Sequence, residues 1–114
     1  MKTTKVDTFY AHVFIGMRLN YDGPIQDKKL AIECIQGFCD TIKVCVTVEN
    51  VEFIYPNGNE SGIKVGFINY PRFPQTSEHI TNVALKLAKQ LKQLYKQYRV
   101  SVVTSDQTYL IGEL

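Results

Sequence analysis

The sequence predicts an α+β sandwich of order β-α-β-β-α-β, with two helices on one face of an antiparallel sheet and a short extra strand near the C-terminal end. Three observations carry this. Gly62 to Tyr70 alternates Ile63, Val65, Phe67 and Asn69 with Lys64, Gly66, Ile68 and Tyr70, the period of a strand. After the break PRFP, apolar residues at Ile80, Val83, Ala84, Leu87, Ala88, Leu91, Leu94, Tyr95 and Tyr98 recur in steps of three and four, the period of a helix. Further strand-like and helix-like segments flank these two in the order the sandwich requires.

Thr8 to Leu19 is the first strand, with Phe9, Ala11, Val13, Ile15 and Met17 on one face and Tyr10, His12, Phe14, Gly16 and Arg18 on the other. NYDGP then turns the chain, and Asp27 can cap a first helix carrying Leu30, Ala31, Cys34, Ile35, Phe38 and Ile42 at helical spacing. Lys43 to Tyr55 reads as a long second strand, and PNGNESG turns it into the third. Pro71 and Pro74 lack the N–H a ladder needs and push Tyr70 and Phe73 into extended backbone. Thr76 or Ser77 then caps the long helix, with Glu78 in its first turn where the macrodipole favours a carboxylate. Arg99 to Thr104 forms the fourth strand, and TYLI, after SDQ, the short last one.

The order is that of the ferredoxin-like sandwich, with spatial strand order 4-1-3-2. By topology the chain resembles the ferredoxin-like group that includes CutA-like and PII-like trimeric proteins. The TSE step before the long helix resembles the tunnelling-fold pterin synthases, whose metal-binding histidines have no counterpart here. The topology sorts the loops onto two ends. One gathers residues 18–24, 56–62 and 97–99; the other gathers residues 40–43, the NYPRFP loop and residues 104–107.

At 114 residues a single domain spanning 1–114 is expected, and a net charge of +2 gives no electrostatic case for nucleic acid. The basic stripe Lys86, Lys89, Lys92, Lys96 and Arg99 reads as a solvated helix face. No apolar run is long enough to span a bilayer and the first residues lack a signal-peptide pattern, so a cytoplasmic protein is expected. Cys34, Cys39 and Cys45 have neither zinc nor redox spacing and read as reduced thiols. His12 and His79 give no metal set and no nucleophile–base pairing. Neither a catalytic residue nor a cofactor is assigned.

Candidate binding residues concentrate in NYPRFP and its neighbours: Asn69, Tyr70, Arg72, Phe73, Thr76, Ser77 and Asp106. Two aromatic faces, a planar cation and a helix start suit a small anionic, nucleotide-like ligand. The ordinary alternative packs Tyr70 and Phe73 under the helix and pairs Arg72 with Asp106. Arg18, Tyr21, Asp22, Asn57, Asn59, Glu60 and Arg99 share the opposite end and read first as turn chemistry. Tyr10, His12 and Phe14 on the helix-free face, with Tyr109 on the last strand, are too apolar for open water and mark an interface, so a homo-oligomer is expected. The chain lacks the signature of RNA-recognition modules, which places self-association above RNA. The leading functional expectation is a non-enzymatic binding or regulatory protein using the Tyr70–Phe73 loop for an anion or a protein partner. The alternatives are an enzyme on a nucleotide-like substrate, with Arg72 and Asp106 in its site, and a small inhibitor acting by surface complementarity.

Overall fold

A computed structural model describes residues 1–18 and 23–112. Its elements are β1 (Tyr10–Gly16), α1 (Lys28–Ile42), β2 (Thr47–Tyr55), β3 (Gly58–Ile68), α2 (Ser77–Leu94), β4 (Arg99–Thr104) and β5 (Thr108–Gly112). They form one antiparallel sheet of order β2-β3-β1-β4-β5, the expected 4-1-3-2 core with the extra strand on the β4 edge. β1 is paired on both sides, Val13 facing Val65 of β3 and Val102 of β4.

Alternation decides which side of β1 is covered. Ala11, Val13 and Ile15 are sealed under the helices with Ile63, Val65, Val100 and Val102, while Tyr10, His12 and Phe14 keep part of their surface on the open side. α2 lies across β1 and β4 with α1 beside it, and contributes Ile80, Val83, Ala84, Leu87, Ala88 and Leu91 to the core. Its N-cap is Thr76, whose hydroxyl accepts from His79 N at 3.1 Å. Asp27 caps α1 through Lys29 N at 3.0 Å. Tyr95, just past the end of α2, is fully buried, and its hydroxyl donates to the Asp27 carbonyl at 3.3 Å. The end of one helix thereby fixes the start of the other.

Several boundaries differ from the sequence reading, beginning with β1, which covers Tyr10–Gly16 rather than Thr8 to Leu19. The long helix stops at Leu94, so Tyr98 is exposed rather than on its apolar stripe. Lys43 ends α1 in the left-handed region at φ 66°, which delays β2 to Thr47. The β2–β3 turn is the two residues Pro56 and Asn57 rather than seven: Tyr55 pairs directly with Gly58, and Asn57 supplies the positive φ of 66°. The paired hairpin therefore runs past the end of β1, where Gly16 pairs Gly62, and leaves Ile54 82% exposed.

Leu87 is fully buried, so Leu87→Ala should cost about 2–5 kcal/mol, while Thr76→Ala should cost about 1 kcal/mol by losing its cap. Urea midpoints at unchanged m-value check both. A Thr76→Ala cost equal to that of Leu87→Ala would contradict this division between cap and core.

Candidate functional site

The NYPRFP loop is built by its own hydrogen bonds. Phe73 N donates to the Tyr70 carbonyl at 3.0 Å, closing a tight turn. The Asn69 side chain donates to the Asp7 carbonyl and accepts from Gln75 N, both at 2.9 Å, which ties the loop to the N-terminal segment and to the approach to α2. Tyr70, Arg72 and Phe73 line one cavity with Lys43, Cys45 and the first turns of α2. Asn69, Thr76, Ser77 and Asp106 are not part of its lining. The Thr76 hydroxyl is engaged as the N-cap, and Ser77 and Asp106 line a separate hollow with Phe9 and Glu78. Arg72 and Asp106 are thus not brought together, and among the described residues Arg72 forms no ion pair. Its guanidinium lies over the Phe73 ring at 5.4 Å, and that ring is 66% exposed rather than tucked under the helix.

The helix-free face carries a ladder of rings along β1. Tyr10 stacks on His12 at 4.7 Å, His12 meets Phe14 edge-on at 6.4 Å, and Phe14 meets Phe53 of β2 at 6.5 Å. Burial holds the His12 imidazole below its ordinary pKa, the Lys64 ammonium adds to this, and the Glu49 carboxylate opposes it. Lys64 and Glu49 pair with each other at 3.3 Å on the same face. Tyr109 does not join this face. It is paired with the core residue Val102 and packs toward the helices, while its neighbour Leu110, opposite Ser101, is the β5 residue on the open side. A one-residue step along a strand changes the face, and the sequence alone does not fix the register of a short terminal strand.

At the hairpin end of this face lies a hollow of about 230 Å³ lined by Phe14, Gly16, Phe53, Glu60, Gln97, Arg99, Ser101 and Leu110, among others. Glu60 packs over Gly16, where a Cβ would overlap its carboxylate; the missing side chain makes the room. The Phe53 ring occupies the equivalent space over Gly62, the partner of Gly16 across the β1–β3 pair. One carboxylate oxygen, Glu60 Oε2, is closed off from solvent and has no hydrogen-bond partner among the described residues. A closed-off acceptor without a partner is costly, so this oxygen calls for a ligand, an ion or an ordered water to satisfy it.

Of the residues assigned to this end from sequence, Glu60, Gln97 and Arg99 reach the hollow. Asn57 is the hairpin corner, the Arg18 guanidinium donates to the Gly23 carbonyl at 3.3 Å, and Tyr21 and Asp22 lie outside the described residues. The sequence reading missed Phe53, Gly16, Ser101 and Leu110 as a group with Glu60. The available signal was parity: Phe53 and Glu60 face one another across β2 and β3, but only once the turn is known to take two residues.

No family model matches the sequence, and no curated protein matches it. Among solved structures, the chain resembles a phage SAM lyase in complex with S-methyl-5′-thioadenosine, with a TM-score of 0.82 and 17% identity over 99% of this chain and 95% of that one. It also resembles a phage SAM lyase in the apo state, with a TM-score of 0.71 and 17% identity over 92% and 89% of the two chains. At this identity the likeness shows the fold, an α+β ferredoxin-like sandwich. Both neighbours are enzymes. That overturns the leading expectation of a non-enzymatic binding or regulatory protein held together with its ligand at the Tyr70–Phe73 loop, and favours the enzyme alternative. Among the described residues no helix is long and apolar enough to cross a membrane, and no group of three or more histidine, cysteine or acidic side chains is arranged to hold a metal.

Two outcomes follow from this geometry. Removing the unpaired carboxylate in Glu60→Ala should leave the urea midpoint unchanged or raise it, because the lost packing is offset by the lost desolvation penalty. A fall worth more than about 1 kcal/mol would mean that Glu60 has a stabilising partner. His12, whose folded-state pKa is lowered, favours the fold when neutral. Its contribution is fully present above its unfolded pKa of about 6.5 and is lost as pH falls from there through the lower folded value. His12→Phe should therefore flatten the decline in urea midpoint between about pH 7 and 5 relative to wild type; parallel declines would contradict it.

Proposed function

We propose that this protein is an enzyme that acts on S-adenosylmethionine, breaking it to S-methyl-5′-thioadenosine, and that the hollow around Glu60 is its site. The observation that carries the reading is the Glu60 carboxylate, one oxygen of it sealed and unpaired, set beside two phenylalanine rings on the open sheet face of a chain whose fold matches phage SAM lyases along almost its whole length. The substrate is a sulfonium. Its positive sulfur is weakly hydrated and suits ring faces and a carboxylate, as other onium groups do. Its amino-acid arm carries an ammonium and a carboxylate, and the hollow has one acid, Glu60, and one base, Arg99.

S-methyl-5′-thioadenosine keeps the methyl and adenosyl groups of the substrate, so the bond that breaks is the one from sulfur to the γ-carbon of the aminobutyrate arm. The electron pair of that bond goes to sulfur, which becomes a neutral thioether. The γ-carbon is satisfied from within the arm, without water. Either the arm's own carboxylate bonds to it, closing a lactone, or a β-proton leaves to a base and an alkene forms. Both routes disperse charge as the sulfonium is discharged, so a site that excludes water and orients the arm accelerates either. No metal or cofactor enters the reading.

The hollow is too shallow on one chain to enclose a nucleoside. The expected homo-oligomer belongs to the same proposal: a second copy laid against the Tyr10–His12–Phe14 ladder and the projecting hairpin, with exposed Ile54 and Tyr55, would close it. The cytosolic location expected from the sequence is kept with this reading; the regulatory role is not.

Incubation of the protein with S-adenosylmethionine, followed by chromatography, should yield S-methyl-5′-thioadenosine together with one four-carbon co-product whose structure separates the two routes. Glu60→Gln should lower the rate at least about tenfold, about 1.4 kcal/mol of transition-state stabilisation, while S-adenosylhomocysteine, which has no sulfonium, should not react. Absence of the thioether product above the uncatalysed background would sink the reading. Full activity in Glu60→Gln would remove the site from it.

A further inference from the structure

The end of the molecule away from Glu60 holds a second cavity, which shares no lining residue with the first. It lies between the end of α1, the end of β3 and the first turns of α2, and encloses about 260 Å³. Its inner wall is Phe67, Ile80 and Val83, all buried, with Val44 beside them. Its polar groups are Lys43, Arg72, Gln75, His79 and the Cys45–Tyr70 pair, in which the thiol lies 3.5 Å from the hydroxyl. Two of these groups, Lys43 and Arg72, carry full positive charges, and among the described residues no carboxylate lines the cavity.

Both cations are positioned by the fold. Lys43 is the left-handed cap of α1, its N–H donating to the Cys39 carbonyl at 2.8 Å. Arg72 is carried on the Tyr70–Phe73 turn and lies over the Phe73 ring, whose exposure leaves an apolar wall standing in solvent beside a guanidinium. A largely apolar interior with two cations and no acid complements a molecule with an apolar body and one negative end. A nucleotide is a poor match, because the lining provides few polar groups for a base and the Thr76 hydroxyl at the helix start is already engaged.

We propose that this cavity binds a small amphipathic carboxylate, an aliphatic or aromatic acid of roughly ten non-hydrogen atoms by volume, with its tail against Phe67, Ile80 and Val83 and its head between Arg72 and Lys43. The planar guanidinium can take the carboxylate through two parallel N–H donors. The site is separate from the proposed reaction and does not depend on it.

The probe is octanoate, titrated into the full chain and followed by the methyl resonances of Ile80 and Val83. Saturation with half-binding at about 1 mM or lower is expected, while octylamine, with the same tail and the opposite charge, should bind at least tenfold more weakly. Because Arg72 is on the surface of a turn, Arg72→Glu should fold as wild type by circular dichroism and weaken octanoate at least tenfold. Glu60→Gln should leave octanoate binding unchanged. Bound octanoate should also slow alkylation of Cys45 by iodoacetamide, read by peptide mass. No saturation below about 10 mM, equal binding of octylamine, or unchanged affinity in Arg72→Glu would overturn the proposal.

Discussion

The double pairing of β1 is the constraint on which the rest of the structure rests. A strand bonded along both edges cannot slip by one residue without moving its whole apolar row to the other face. With β1 held opposite β3 and β4, Ala11, Val13 and Ile15 are committed to the helices, and Tyr10, His12 and Phe14 to the open side. α2 then has one place to lie, across β1 and β4, and Tyr95 at its end reaches the Asp27 carbonyl to fix α1. The same register puts Gly16 against Gly62, and so determines where the sheet has room for the Phe53 ring and the Glu60 carboxylate.

That room is a local conflict with stability. Packing an acid over a glycine on a sheet, with one oxygen shut away from water and unpaired, lowers the stability of the chain that does it. Elsewhere the chain pairs its polar groups: Lys64 with Glu49 on the open face, Ser61 with Glu52 at 2.6 Å on the hairpin, and the Thr104 hydroxyl with Gln107 N at 2.9 Å in the last turn. Against that background the Glu60 oxygen stands out as a group left available, and places where local rules are broken without compensation are where function is expected.

The fold was legible in the sequence because its signals are redundant. The long helix is declared by its period, its cap at Thr76 and the prolines before it, and the central strand by alternation over seven residues that the structure keeps intact. What escaped depended on a turn. PNGNESG has enough glycine and asparagine to suggest a seven-residue loop, yet Pro56 and Asn57 alone make the corner, because a proline followed by a left-handed asparagine turns the chain in two residues. With five residues moved from loop to strand, Glu60 faces Phe53 and ceases to be turn chemistry. Tyr109, expected at an interface with Tyr10, His12 and Phe14, lies on the helix side of the sheet, because the parity of β5 is set by its pairing to β4 and not by its own sequence. At the other end, the cluster Tyr70, Arg72 and Phe73 was legible as a unit because it is local, whereas its supposed companions Ser77 and Asp106 are separated from it by geometry that no spacing rule encodes.

The distribution of charge on the open face bears on what it can receive. The proposed sulfonium substrate would be repelled by cations along the sheet, and three basic side chains lie there, Lys64 and His12 in the middle and Arg99 beside Glu60 at the hairpin end. Lys64 is paired to Glu49, and burial together with Lys64 itself disfavours a charge on His12. The positive charge in the middle of the face is therefore either neutralised or suppressed, while at the hairpin end one Glu60 oxygen has no hydrogen-bond partner among the described residues, in a hollow that Arg99 also lines. The face thus presents rings along β1 leading to a carboxylate, an arrangement that favours an onium group over an anion. In the two proposals the hairpin end takes a cation and the Arg72 end an anion, in a chain whose net charge is only +2.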